Sequence, residues 1–410
     1  MKILLLPAYY HPEPAASIYL SLNRNEDFIR AGFQIEMYVP LPTRGVSDEI
    51  RKYYRQHKTE SLYDEKMVIY RFWMFREDKN PVFRAIRYAL CCIVQFAKGC
   101  LAKDIDLIFA TSTPPIQGAM IALLKKIKKV LFVYNLQDIF PDSLVSTGIT
   151  NNNSFIWRLG RKIENFTYKN ADKIIVISED FRQNILAKGV PADKIEVIYN
   201  WVNENEVVDI SRENNKLFEK YGLDKSKFYI TYCGNIGLTQ NMDMLLEIAQ
   251  ELRTVPDIQF VLIGGGVYTN KVLEIIENKQ IKNVLIVPFQ PYEDISHVFS
   301  LGNIGLIMSK PGTGQNSLPS KTWSIMSAER PVIANFDENE LKSIIEDNRA
   351  GIFTHAGDKQ SFKDGILYCF HHPEECREMG KNGRNFILKN LNRSIATNKY
   401  TESIKKLIIN

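Results

Sequence analysis

Tyr229-Ile230-Thr231-Tyr232-Cys233-Gly234-Asn235-Ile236-Gly237-Leu238-Thr239-Gln240-Asn241-Met242 is the stretch on which the fold turns. Its first five residues, Tyr229–Cys233, have the aromatic and β-branched composition of a buried strand. Two glycines then break the run, and an apolar pattern at helical spacing follows over Met242–Leu252. A strand, a glycine turn and a helix in that order make half of a βαβ unit. Glycines there let backbone N–H groups face an anion at the helix N-terminus. The spacing does not fit G-x-G-x-x-G, so a dinucleotide reading gains little.

Outward from this stretch the alternation repeats in both directions. Downstream, the expected strands are Gln259–Ile263, Val284–Val287, Ile304–Met308, Pro331–Ala334 and Gly351–Thr354, with helices over Tyr268–Asn278 and Ser320–Ala328. Upstream they are Lys2–Leu6, Phe33–Val39, Met67–Phe72, Asp106–Ala110, Val130–Tyr134, Lys173–Ile177 and Glu196–Tyr199. Amphipathic stretches Ile116–Lys128, Phe155–Asn170 and Glu179–Lys188 lie between them. Strands alternating with helices imply parallel sheets of right-handed βαβ units. The polar stretch Asn203–Leu217 reads as a linker. The chain of 410 residues is too long for one ordinary domain. The expected organisation is α/β: a first doubly wound domain over 1–203, a second over 204–390, and a closing helix over 391–410. Ligands of such sheets bind outside the strand carboxyl ends.

Composition bounds the class of protein. Hydrophobic residues make up 45% and charged residues 24%, which excludes disorder and fits a globular enzyme. The net charge of +5 is uneven: residues 1–200 hold 28 Lys/Arg against 21 Asp/Glu. Residues 51–100 alone hold 11 basic and 5 acidic groups. With no groove-reading motif, nucleic acid is not an expected partner. Six cysteines without a CxxC spacing read as free thiols of a cytoplasmic protein. No apolar run reaches the length of about 18 residues that a membrane span needs. Clustered Lys/Arg and an apolar helical stretch over Pro81–Lys103 instead suggest peripheral contact with an anionic inner membrane, with Arg84 and Arg87 among the headgroups. The alternative is a helix packed on its own sheet.

Four loops after strands hold the candidate chemistry. Tyr9-Tyr10-His11-Pro12-Glu13-Pro14 follows the first strand; His11 can orient a hydroxyl or act as general base. Asn135-Leu136-Gln137-Asp138 follows Val130–Tyr134, and Asp138 can accept a proton, the alternative being a helix N-cap. Gly264-Gly265-Gly266 makes a second glycine turn, equally readable as a tight strand-to-helix connection. Lys310-Pro311-Gly312-Thr313-Gly314-Gln315-Asn316-Ser317-Leu318-Pro319-Ser320-Lys321-Thr322 is a Gly-rich loop running into a helix. A lysine in a first helical turn opposes the macrodipole by about 0.3–1 kcal/mol, a violation that a bound anion would reverse. Asp104-Ile105-Asp106 precedes a strand and reads as an entry turn rather than a metal pair. No metal site is expected.

These segments together resemble glycosyltransferase family 4, of GT-B fold, near the bacterial fucosamine- and colanic-acid-type transferases. The carrying residues are Tyr9–Pro14, Asn135–Ser143, Ile177-Ser178-Glu179, Gly234-Asn235-Ile236-Gly237, Leu318–Thr322 and Arg330–Ala334. The resemblance implies two Rossmann-like domains facing a cleft, with the last helix crossing back to the first. It implies retaining transfer of a sugar from a nucleotide donor, usually UDP-linked, to a lipid-linked saccharide in surface polysaccharide synthesis. No cofactor or essential metal is implied. The donor set would be Gly234, Asn235, Gly237, Gln240, Gly264, Gly265, Phe289, Gly314, Asn316, Ser320, Lys321, Thr322 and Glu340. Tyr10, His11, Glu13 and Ser17 would meet the acceptor. Asp138, Lys321 and His11 would carry the chemistry.

Two departures from the family stand out. Its paired glutamates, separated by seven residues, fall here on Asn316 and Ser324. Its diphosphate-binding Arg and Lys fall on Asn235 and Gln240. Lys321 is then the remaining cation. Glu340 either replaces a ribose contact or is an ordinary helix-start charge. The rival readings are a sugar-nucleotide epimerase on the same plan and a non-catalytic transferase-like binding subunit.

Overall fold

Runs such as Leu107–Thr111 and Ile304–Met308 are buried along almost their whole length, so they need a cover on both faces. In the structure, a computed structural model, they are central strands of two sheets. It describes residues 1–13, 18–77, 80–146, 150–151, 153–315 and 317–409. The chain divides into two compact units: Met1–Tyr199 with Ala396–Asn410, and Asn200–Ile395.

The first unit holds strands β1 (Lys2–Leu5), β2 (Gln34–Pro40), β3 (Thr59–Leu62), β4 (Met67–Phe72), β5 (Leu107–Thr111), β6 (Leu131–Leu136), β7 (Lys173–Val176) and β8 (Ile195–Val197). They form one sheet in the order β3-β4-β2-β1-β5-β6-β7-β8. All its pairings are parallel except β3 with β4. The β1/β5 neighbours are the switch point where the strand order reverses. Leu4, Ile108, Phe132, Ile174 and Val176 face the helices Ile116–Lys128 and Glu179–Ala187 in one core. Helix Arg393–Ile409 adds Tyr400, which lies 6.0 Å ring to ring from Phe109 and donates to Asn135 Oδ1 at 3.1 Å.

The second unit holds β9 (Phe228–Asn235), β10 (Ile258–Gly265), β11 (Val284–Val287), β12 (Ile304–Met308), β13 (Val332–Phe336) and β14 (Gly351–His355). Their order is β11-β10-β9-β12-β13-β14, all parallel, with the switch point at β9/β12.

Three local expectations change. Strand β3 and helix Asp48–Gln56 were not among the expected elements: β3 is short and polar, whereas the helix carries Ile50, Tyr53 and Tyr54 at helical spacing after the Ser47 cap, a signal that was present. The stretch expected as a linker is pinned into the second unit. Val208 N–H and Ile210 N–H donate to Ser296 Oγ and Ser300 Oγ at 3.0 Å each, and Ser327 Oγ donates to Val207 O at 2.6 Å. Finally, β9 and β10 run past Cys233 and Ile263, pairing Gly234 with Gly264 and Asn235 with Gly265. Gly234, Gly264 and Gly265, expected in turns, are therefore ladder residues, and only Gly237 and Gly266 lie beyond the strands.

The basic stretch also reads differently in three dimensions. Arg51, Arg71 and Arg87 are buried. Arg87 donates to Ala8 O at 3.0 Å and Thr43 Oγ1 at 2.7 Å, so it cannot join Arg84 among lipid headgroups. Arg71 donates to Glu60 Oε1 at 2.6 Å and His11 O at 2.7 Å. Helix Pro81–Leu101, capped by Asn80, packs Cys91 inward but leaves Val82, Phe83, Ile86, Leu90, Ile93 and Leu101 between 41 and 73% exposed. No helix among the described residues is long and apolar enough to cross a membrane.

Candidate functional site

In the second unit the loops after β9 and β12 flank the switch point, where ligands of doubly wound sheets bind. The two loops are tied together: Lys310 N–H donates to Thr239 O at 2.7 Å. Asp337, after β13, clamps the Gly-rich loop by accepting from Gly312 N–H at 2.9 Å and Gly314 N–H at 2.6 Å. Asn339 Nδ2 donates to Gly314 O at 3.1 Å and Ser317 O at 2.9 Å. Neither clamp was singled out in the sequence. Polar residues just after a strand were the available signal.

Lys321 opens the short helix Lys321–Ser327. Its Nζ lies 3.3 Å from the Tyr232 hydroxyl and 4.9 Å from that ring's centroid. A Cβ on Gly234 would meet Lys321 Cε at 2.4 Å and Nζ at 2.5 Å. The glycine thus makes the space that the amine fills. Burial pulls the Lys321 ammonium down to about 8, opposed by Cys233. Among the described residues no carboxylate forms an ion pair with it. Cys233 itself is pushed up to about 12 by burial.

Around that amine the other expected donor residues take distinct places. Gly237 N–H donates to Gln240 Oε1 at 3.0 Å, so these two residues hold each other. Asn235 is exposed at the end of β9. Phe289, 65% exposed after β11, has its ring 3.8 Å from where a Cβ on Gly265 would be. Ser320 is exposed at the N-cap of its helix, without a capping bond. Glu340 occupies the first turn of helix Glu340–Asp347, capped by Asn339, where a carboxylate also complements the helix dipole. Thr322 is wholly buried, and among the described residues its hydroxyl has no hydrogen-bond partner. Asn316 lies outside the described residues.

Gly264 has φ +146, and a Cβ there would lie 1.9 Å from Gly234 O. Gly264→Ala is expected to destabilise the second unit by about 2–5 kcal/mol through overpacking and backbone strain. Gly265→Ala meets nothing closer than 3.8 Å and should melt like the wild type. Paired thermal melts check the contrast; equal melting of both variants contradicts it.

In the first unit the loops after β1, β5 and β6 share the carboxyl edge. Ser112, after β5, accepts from Gln137 N–H at 3.0 Å and Asp138 N–H at 3.1 Å. This residue was not found in the sequence. Asp138 remains exposed at the edge, yet the protein packed around it raises its carboxyl, opposed by bonds from Ser143 and Ile139 N–H. His11 is exposed in the loop after β1, and its carbonyl accepts from Arg71 of β4, on the side of β1 away from β6. Asp142, in contrast, is structural, bound to Arg161 at 2.6 Å and Lys188 at 2.8 Å.

Two expected acceptor contacts turn inward. Glu13 is buried: its Oε1 accepts from Thr43 N–H at 2.6 Å, Thr43 Oγ1 at 2.9 Å and Arg44 N–H at 2.9 Å. It fixes the loop after β1 to the loop after β2. Tyr10 is buried against Asn25, and burial pushes its hydroxyl up to about 12. Ser17 lies outside the described residues. Asp104-Ile105-Asp106 is an entry turn, with Asp106 Oδ2 accepting the Lys2 N–H at 2.7 Å.

The family description Glycosyltransferase Family 4 matches residues 28–206, and Glycosyl transferases group 1 matches residues 213–386. The chain belongs to glycosyltransferase family 4. It is 24% identical over 251 residues to the probable glycosyltransferase WbjE of Pseudomonas aeruginosa, covering 61% of this chain and 62% of that one. It is 25% identical over 208 residues to WcaI of Escherichia coli, named as a colanic acid biosynthesis glycosyl transferase, covering 50% and 51%. The chain therefore spans less than two thirds of the length of these relatives. The crystal structure of Anabaena Alr3699/HepE with UDP-glucose shares the fold, with a TM-score of 0.74 at 15% identity over 99% of this chain and 100% of that one. The family-4 chain thus has the GT-B plan of two parallel-sheet, Rossmann-like domains.

Proposed function

We propose that this family-4 protein is a retaining glycosyltransferase of surface polysaccharide synthesis. It takes a sugar from a UDP-linked donor and passes it to a hydroxyl of a lipid-linked saccharide, without an essential metal. The observation that carries the reading is the buried Lys321 amine against Gly234, with no carboxylate partner among the described ion pairs. A diphosphate at the β9/β12 switch point supplies the charge that this amine lacks. As the sugar–phosphate bond breaks, negative charge grows on the leaving diphosphate, and a fixed ammonium stabilises it most at that moment. Phe289 offers an exposed aromatic face to the base. Asp138, with a raised carboxyl, receives the acceptor proton, and His11 orients the acceptor. The UDP-glucose complex of the HepE structure supports the choice of nucleotide by analogy. The exposed apolar face of helix Pro81–Leu101 supports peripheral contact with a membrane that carries the acceptor.

Calorimetry with UDP and GDP tests the donor half. Only the protonated amine attracts diphosphate. UDP affinity is therefore expected to be level below about pH 7.5 and to fall by up to about tenfold per unit above the free-enzyme value near 8, with proton uptake on binding. Binding of neither nucleotide would favour the non-catalytic subunit. Binding without transfer to any lipid acceptor would favour the epimerase.

A further inference from the structure

The exits of β2 and β4 in the first unit flank a pocket of about 270 Å³ lined by Asp48, Arg51, Lys52, Arg55, Trp73, Phe75 and Arg76. Four cations thus meet one carboxylate. Asp48, Arg51, Lys52 and Arg55 share one face of helix Asp48–Gln56, at spacings of three and four. Asp48 is taken by Arg76. Arg51 is buried and fixed, its guanidinium donating to the carbonyls of Pro42 and Met74. Lys52 and Arg55 are exposed, and among the described residues neither forms an ion pair. Arg55 and Arg76 both lower the proton affinity of Arg51, after burial itself. The fold therefore holds like charges close together, an arrangement that an anion relieves.

The surroundings say which anion. Pro42, held by Arg51, immediately precedes Thr43 and Arg44, whose amides hold Glu13 of the loop after β1. The pocket thus adjoins the acceptor loop on the carboxyl edge of the sheet. Its other wall leads into helix Pro81–Leu101: Phe75 packs in one cluster with Tyr88, Cys91 and Val94, and Glu77 pairs with Arg84 at 3.4 Å. That helix carries the exposed apolar stripe, and Trp73 at the pocket is itself 64% exposed. A soluble anionic sugar needs no apolar stripe. A bare charged bilayer needs no recess with a guanidinium fixed by two carbonyls.

We infer that this pocket binds the phosphoryl group of a lipid-phosphate-linked acceptor, whose chain leaves along the exposed face of helix Pro81–Leu101. The inference rests on the lipid-linked acceptor proposed above. Guanidinium forks suit phosphate oxygens in two-point contacts, and the flexible Lys52 supplies a third charge.

Vesicle flotation of the full chain tests it. The probes are phosphatidylcholine vesicles alone, vesicles with phosphatidylglycerol, and vesicles with a long-chain polyprenyl diphosphate at matched charge. The diphosphate lipid is expected to bind the chain more tightly than phosphatidylglycerol does, and inorganic pyrophosphate should compete. Lys52→Gln with Arg55→Gln should weaken binding to the diphosphate vesicles by at least about tenfold. The charge-matched control, Lys405→Gln with Lys406→Gln, alters two exposed lysines elsewhere in the unit and should leave binding unchanged. Equal binding to both anionic vesicles, with equal loss in both double variants, would overturn the inference in favour of diffuse charge attraction. UDP calorimetry on the same samples separates the two readings. Intact UDP binding with no pocket effect removes only the pocket, whereas a pocket effect without UDP binding removes the donor reading.

Discussion

Lys321→Met is expected to lower turnover by about 10²–10³-fold and to raise the melting temperature of the protein. The two effects have one cause. Burial brings the folded-state Lys321 ammonium to about 8, from an ordinary 10.5. A base with a depressed folded value disfavours the fold while it is protonated. The penalty is present in full below about pH 8. It fades as pH rises toward 10.5, because only the unfolded chain still binds the proton there. Allowing for partial solvent access, it amounts to on the order of 1–3 kcal/mol. Methionine keeps the unbranched apolar stem that packs on Tyr232 and Gly234 but carries no charge. Its stability advantage over the wild type should therefore shrink between pH 8 and pH 10. A group kept at a cost to the fold and needed for turnover is the mark of a functional residue. An active Lys321→Met enzyme with unchanged UDP affinity would sink the assignment. Lower stability of the variant at pH 7 would show the amine to be a structural tie instead.

Much of this arrangement could be read from the chain, and the remainder divides along physical lines. Buried parallel strands announce themselves as short apolar runs, so β4, β11 and β12 fall on the residues expected. A short polar strand such as β3 gives no such signal, whereas helix Asp48–Gln56 offered a short one in Ser47, Ile50, Tyr53 and Tyr54. Asp138, Lys321 and Phe289, named in loops that follow strands, stand on the carboxyl side of their sheets. What the sequence does not carry is the direction in which a side chain points. Glu13 and Tyr10 sit beside the exposed His11 in one loop, yet both turn inward. Thr322 follows Lys321 by one residue and is buried. Arg87 lies three residues after Arg84, one inside and one outside. A count of basic residues treats these alike, although only the outward ones can meet an anion.

Asp138→Asn is the second substitution with a large expected effect. A positioned general base contributes about 10²–10⁴-fold, so turnover should fall within that range. UDP affinity should not change, because Asp138 belongs to the first unit and the amine against Gly234 to the second. Asparagine keeps an oxygen for the Ile139 N–H and the Ser143 hydroxyl, so the loop held by Ser112 should retain its shape. The pH profile separates a base from a mere positioning group. The wild-type carboxyl is raised by the protein around it, so activity should decline on the acid side at a pH above the ordinary aspartate range. In Asp138→Asn that acid limb should vanish and leave the residual rate level across it. His11→Asn gives the comparison: a weaker acceptor interaction, a smaller loss of turnover, and an acid limb that stays. If the acid limb follows His11 and survives in Asp138→Asn, the two residues exchange roles, and the loop after β1 delivers the base.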